Sequence, residues 1–390
     1  MSRQCLDTYL GLICTNFSLS KIKTGHNNFI KMNRINTLLV GIFYILASQI
    51  HAQTVYYDAD QFPLIGKTSD ETETRYERLP AYLKEVCRPP VWNLGKNTSG
   101  LAIRFSTNST AISAKWEVTG DNRMNHMTET GIKGIDLYAW EGGHWQPVKA
   151  GLPSGKVNER TIISDMTPQE REYMMFLPLY DGVISLSIGI DSAAYIKNPV
   201  LPYPDTTHPI LVYGTSITQG GCASRPGMSY TNILARRLNR EVINLGFSGN
   251  GQLDYEIAEL MATRRDASLF VLDFIPNVNA TQLAEKTRPF FDILRKANPD
   301  IPILFVETVI FPHSFYDKSI YGTITEKNRL LREEYEKIKR EGDKNVYYLA
   351  NDNLIGSDGE ATVDGIHFTD LGFLRFADKM YDTIRQINNQ

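Results

Sequence analysis

Cysteine is scarce in this 390-residue chain, at four residues, and two of them, Cys5 and Cys14, lie in an N-terminal stretch with no periodic pattern. That leaves Cys87 and Cys222, too few for a disulfide framework, and spacing alone establishes no bridge between them. No cysteine and histidine spacing suits a structural zinc site, so no metal is expected. Positive charge is not in excess either. The formal net charge is −3 and no basic cluster breaks the mixture, which removes the electrostatic reason to expect nucleic acid. There is no Walker-type phosphate loop, and no cofactor is expected. Long hydrophobic runs are also missing. The best candidate, Leu38 to Ala47, is about half of the roughly 20 residues that span a bilayer, so stable membrane insertion is not expected. Oligomeric state is not legible.

What that short apolar run does resemble is the core of a secretory signal. Lys31 and Arg34 give it a positive flank and Ile50-His51-Ala52 a cleavage end. The sequence therefore predicts an upstream extension over 1–31, a signal peptide over 32–52, a mature chain from Gln53 and a secreted or periplasmic location. No cysteine lies near the junction to carry a lipid.

From 53 to 197 the pattern is strand-rich. Leu101 to Thr110 and Ala111 to Trp116 alternate around an Asn-Ser turn, Gly134 to Trp140 and Trp145 flank a Gly142-Gly143 turn, and Val183 to Ile190 adds a further strand. Many short strands at close spacing predict a β-sandwich. Its tryptophans, Trp92, Trp116, Trp140 and Trp145, either fill the core or stack on sugar rings, and core filling is the commoner role. A proline-rich segment, 198–209, reads as a linker.

Beyond it, apolar runs and helical periodicities alternate. Strands are predicted at Ile210–Tyr213, Glu241–Leu245, Ser268–Phe274, Pro302–Ile310 and Asn345–Ala350, with a long charged helix from Lys318 to Arg340 and a last helix presenting Phe373, Phe376, Ala377, Met380 and Ile384 on one side. That alternation predicts an α/β domain over 210–390: a flavodoxin-like doubly wound parallel sheet, preceded by the β-sandwich domain.

Chemistry-bearing residues sit just past these strands. Gly214-Thr215-Ser216 follows the first, Gly249 and Asn250 the second, Asn277 the third, and Asp364-Gly365-Ile366-His367 precedes the last helix. A parallel sheet gathers such positions at one rim, where ligands bind. A serine there with a late Asp-x-x-His is what a Ser/His/Asp hydrolase needs.

At these residues the chain resembles the SGNH (GDSL-like) hydrolases, over about Pro209 to Ile387. The resemblance implies Ser216 as nucleophile, Asp364 and His367 as its partners, and an oxyanion hole from Ser216, Gly249 and Asn277, with Asn250 the nearest competitor of Asn277. Gly-Thr-Ser-Ile stands here for the family's Gly-Asp-Ser-Leu, and Asp273-Phe274-Ile275-Pro276-Asn277 for its Gly-x-Asn-Asp block. Gly134-Ile135-Asp136-Leu137-Tyr138 resembles the GxDLY module found before one branch of these hydrolases. The combination is similar to bacterial carbohydrate acetylesterases and implies an acylated carbohydrate as substrate. A lipase or thioesterase, or a non-catalytic glycan-binding protein, remains the alternative. His126, Asn250 and Arg225 are candidate substrate contacts.

Overall fold

The computed structural model describes residues 53–389. The upstream extension and the signal peptide predicted for 1–52 lie outside the described residues.

Ten strands build two antiparallel sheets in the first half. They are β1 (Thr54–Asp58), β2 (Leu64–Ile65), β3 (Ala102–Thr107), β4 (Ile112–Val118), β5 (Ile135–Glu141), β6 (His144–Gly151), β7 (Val157–Ile163), β8 (Arg171–Phe176), β9 (Val183–Asp191) and β10 (Ile196–Lys197). One sheet runs β1-β9-β4-β7 and the other β10-β3-β8-β5-β6, with β2 beside β3. Successive strand residues point to opposite faces, so Ile103 and Phe105, Ala114 and Trp116, and Leu137 and Ala139 meet in one core between the sheets. β5 and β6 form the hairpin that the Gly142-Gly143 turn predicts, with Trp140 opposite Trp145. The Asn108-Ser109 corner is not a hairpin: β3 and β4 belong to different sheets, and the corner carries the chain across the sandwich. Ser109, Thr110 and Ala111 hold that corner by hydrogen bonds to the Asp191 carboxylate. Trp92, Trp116 and Trp145 are buried. Trp140 is half-buried and stacks on the exposed Tyr203, so three of the four tryptophans pack the interior and the fourth lies at its edge.

The second half is an α/β fold. Its strands are β11 (Asp205–Gly214), β12 (Arg240–Gly246), β13 (Leu269–Asp273), β14 (Ile303–Val306) and β15 (Val346–Leu349). All are parallel, in the order β12-β11-β13-β14-β15. The sheet is covered on both faces, which is why β11 reads as a continuous apolar run. Ile210 and Val212 pack on one side against the last helix (Asp370–Asn388). Leu211 and Tyr213 pack on the other against helices Tyr255–Ala262 and Ala280–Ala297.

Two boundaries differ from the sequence pattern. The segment read as a linker ends early, because β11 already begins at Asp205, paired with Arg240. β14 stops at Val306, where Glu307 turns its carboxylate to Arg332, to the Tyr348 hydroxyl and to the Asn351 N–H. The helix Lys318–Arg340 has the predicted span, with Asp317 capping its first turn.

Candidate active site

The first strand of a 2-1-3-4-5 order lies at the switch point of the sheet, and the crevice beyond its carboxyl end is where such folds bind ligands. Ser216 is there, 8% exposed. It opens a four-residue helix (Ser216–Gln219) whose first turn is closed by a reciprocal cap between Thr215 and Thr218. Gly214 is required just before it: a Cβ there would stand 2.0 Å from the Thr218 Oγ1. Gly220, at φ +108°, ends the helix in the left-handed conformation that glycine adopts without strain.

His367 Nε2 lies 3.0 Å from the Ser216 Oγ, although the residues are 151 apart in sequence. Its Nδ1 lies 2.7 Å from Asp364 Oδ2. A carboxylate only accepts, so Nδ1 carries the hydrogen and Nε2 presents its lone pair to the serine. Asp364 Oδ1 accepts the backbone N–H groups of Ile366 and His367. Partial burial raises the Asp364 pKa, but the hydrogen bonds from the His367 ring and these two N–H groups outweigh it and hold the carboxyl down at about 2.

Gly249 sits at φ +68° in the turn after β12, exposed. Among the described residues neither its N–H nor that of Ser216 makes a hydrogen bond. Asn277 ends a short 3-10 turn after β13, and its Oδ1 accepts the Gly251 N–H at 3.2 Å. That bond fixes the amide with Nδ2 left over. His126, from the first half of the chain, brings its ring to 5.4 Å from the His367 ring. Cys222 is free and buried beside both. Cys87 is free and buried in the helical core on the other side of the sheet.

Two other candidates are engaged elsewhere. Asn250 Oδ1 accepts from Arg88 and its Nδ2 donates to the Ser248 carbonyl. Arg225 donates to Asp136 Oδ2 at 2.6 Å and to the Tyr138 hydroxyl, while Arg236 stacks over the Tyr138 ring at 4.0 Å. Asp136 and Tyr138 are the polar members of the Gly-x-Asp-Leu-Tyr string. They leave β5 on the face opposite Ile135, Leu137 and Ala139, so the motif ties the sandwich to the loop that follows the serine.

That tie has company the sequence did not disclose. The Tyr180 hydroxyl donates to the Ser216 carbonyl at 3.0 Å. Ser99 Oγ donates to the Gln219 carbonyl and Thr128 Oγ1 to the Ser224 carbonyl. Gln219 donates to the Leu179 carbonyl and accepts the Ser248 N–H, linking the serine turn to the glycine turn. Arg78, 1% exposed, donates to four carbonyl oxygens, of Leu94, Asn97, Asn244 and Gly246. Beneath the serine helix, buried Asp273 accepts from Thr218 and Tyr230. The one available signal was the placement of Asp136 and Tyr138 two apart on a strand whose intervening residues are apolar.

Residues 54–196 match the family model for GxDLY, the N-terminus of SGNH-hydrolase-type esterases, and residues 207–385 match that of the GDSL-like lipase/acylhydrolase family. The chain is similar to a solved structure described as a GDSL-like lipase from Bacteroides ovatus, at 37% identity over 86% of this chain and 98% of that one, with a TM-score of 0.82. It shares the fold of the salicylyl-acyltransferase SsfX3 from a tetracycline biosynthetic pathway, at 17% identity over 87% of this chain and 99% of that one, with a TM-score of 0.68. The fold is shared too with Est2A, an acetyl xylan esterase from the rumen bacterium Butyrivibrio proteoclasticus, at 12% identity, 86% and 99% coverage and a TM-score of 0.51. No curated protein matches the sequence. The chain belongs to the GDSL-like lipase/acylhydrolase family of SGNH hydrolases, with a GxDLY module ahead of its α/β half.

Proposed function

We propose that this ester hydrolase is a secreted or periplasmic serine esterase that removes short acyl groups, acetyl foremost, from a carbohydrate. The observation that carries the chemistry is the unbroken relay from Ser216 Oγ through the His367 ring to Asp364. Ser216 attacks the acyl carbon as His367 Nε2 takes its proton, Asp364 stabilises the resulting imidazolium, and the same proton passes to the departing sugar hydroxyl. Water then repeats the sequence on the acyl-enzyme. The tetrahedral oxygen is held by the N–H groups of Ser216 and Gly249 and the Asn277 amide, each such donor contributing about 3 kcal/mol to barrier lowering.

Short acyl groups are favoured by the small and polar residues after the serine, Gln219-Gly220-Gly221-Cys222-Ala223-Ser224. A carbohydrate is favoured by the shared fold with Est2A, described as an acetyl xylan esterase. The test is turnover of p-nitrophenyl acetate and octanoate, then acetate release from acetylated xylan, pectin and sialylated glycan. Acetate should be preferred, with kcat lost by about 10⁴-fold or more in Ser216→Ala. Unchanged turnover in that variant would sink the nucleophile assignment.

One observation favours a bulkier acyl group. A cleft of about 720 Å³ has Phe311, Phe315, Tyr316 and Tyr321 in its lining beside Lys318 and Asp358, and it reaches Ala361, three residues before Asp364 in the chain. Preference for octanoate over acetate would move the reading there.

A further inference from the structure

We propose that His126, Cys222 and His367 form an inhibitory site for a soft divalent cation, with zinc as the type ligand. The inference rests on the reading of His367 as the catalytic base. One ligand atom from each of the three residues lies within 4.8 Å of the others, and among the described residues no other set of three gathers so closely.

Both imidazoles are already in the tautomer a metal needs. His367 gives its Nδ1 hydrogen to Asp364, which leaves Nε2 as a lone-pair donor. His126 Nδ1 is 3.0 Å from Asn125 Oδ1, an acceptor, so its hydrogen is on Nδ1 and its Nε2 is free as well. A ligating histidine whose other nitrogen is held by a carboxylate is the outer-shell arrangement typical of zinc sites. Charge also closes: binding displaces the Cys222 thiol proton to solvent, and the thiolate with the Asp364 carboxylate balances a dication. Zn–N and Zn–S bonds of about 2.0 and 2.3 Å require the three atoms to approach by roughly an ångström. His126 can supply that movement, since it lies half-exposed on the loop between β4 and the short helix Glu129–Lys133. Two nitrogens and a sulfur select zinc or cadmium over magnesium or calcium, which require oxygen ligands.

The consequence for the reaction is direct. The lone pair a metal would take on His367 is the one that accepts the Ser216 proton, so an occupied site is an inactive enzyme. The ligands come from both halves of the chain, and only the joined halves make the site.

The experiment adds zinc chloride to the chelator-treated full chain and reads two signals: p-nitrophenyl acetate turnover in the wild type, and calorimetric zinc binding to Ser216→Ala, which needs no activity. Expected are inhibition reversed by chelator, no inhibition by magnesium at the same concentration, and one zinc bound per chain. His126→Ala and Cys222→Ser should each raise the half-inhibitory zinc concentration at least tenfold, and each placed on Ser216→Ala should weaken binding similarly. Equal zinc sensitivity in wild type and both variants would overturn the site, as would equal calorimetric affinity. If the wild type turns over no ester, the binding arm still decides the site, while the esterase reading fails separately. Should Cys222→Ser misfold, the partly exposed His126 carries the comparison alone.

Discussion

The two loops that meet at Ser216 and His367 are built in opposite ways. The Asp364–His367 loop is self-supporting: the Asp364 carboxylate accepts two N–H groups from its own turn and the ring of the histidine three residues on. Apart from the contact of His367 with Ser216, its one hydrogen bond to another element among the described residues is given by His313 Nδ1 to the Gly365 carbonyl, at 3.1 Å. The loop from Ser216 to Met228 is held from outside. Tyr180, Ser99, Thr128, Asp136 and Tyr138, all from the β-rich half, bind its backbone or its arginine. The proposed base therefore orients itself, while the proposed nucleophile is oriented by a domain that contributes no member of the relay.

The sharpest way to break this contrast is to separate the halves. Residues 198–390 produced alone should show no measurable p-nitrophenyl acetate turnover, because the carbonyls of Ser216 and Gln219 and the Arg225 guanidinium lose the partners that Tyr180, Ser99, Asp136 and Tyr138 supply. Retained activity in that fragment would mean the β-rich half is ornamental to the site. Next in size is Asp364→Asn, expected to lower kcat by about 10⁴-fold because it upsets the histidine tautomer, with a modest fall in melting temperature because the ionised carboxylate that holds the loop is gone while an amide oxygen remains for the two N–H groups. Near-wild-type kcat in that variant would show that the loop orients its histidine without the carboxylate.

Arg225→Ala tests the other side. Asp136 is 1% exposed and would keep only the Gly227 N–H, and removing one partner of a buried pair typically costs about 3–5 kcal/mol. Denaturant unfolding should show that loss together with a fall in kcat, whereas an effect on stability alone would detach the clamp from the serine. Tyr180→Phe is milder, at about 1 kcal/mol, because the Ser216 carbonyl keeps the N–H groups of Gly220 and Gly221. Kinetics should place the effect in kcat rather than KM.

A separate effect is a pH dependence. Burial lifts the Asp273 carboxyl to about 7 against the opposing bonds from Tyr230 and Thr218. A folded-state pKa above the unfolded value means stability is full below about pH 4, declines as pH rises through 7 and then levels. Asp273→Asn should remove that decline, so its melting-temperature advantage over wild type grows from pH 5 to pH 8. Asp364 has the opposite sign, its depressed pKa costing stability only as pH falls from about 4 toward 2. Parallel wild-type and Asp273→Asn curves from pH 5 to 8 would contradict the buried-acid account.

What was legible in the sequence follows the same division. Asp364 and His367 are three residues apart and make a local motif, and the strands around Ser216 announce themselves by apolar runs. The supports of the serine turn are not local: Tyr180 is 36 residues from Ser216, Asp136 is 89 from Arg225, and Arg78 is 166 from Asn244. No periodicity encodes such pairings, because a buried hydroxyl or guanidinium is recognisable only once its carbonyl partner is in place. From sequence alone Arg225 reads as available to substrate for that reason. The Asn108-Ser109 corner misled in the same way, since a turn signal reports a change of direction and not which sheet the chain enters.

Arg78 bears on how such a protein can change over generations. Its guanidinium reaches carbonyls at the end of β12 from a segment that precedes the first long strand of the sandwich, and backbone oxygens recur in any sequence with this fold. A foreign β-module grafted ahead of the α/β half would have to supply an arginine at that one spot, along with counterparts of Asp136 and Tyr180. Exchanging one half without these partners would leave buried carbonyls unpaired beside the serine turn, so the two halves are interchangeable only as a matched pair.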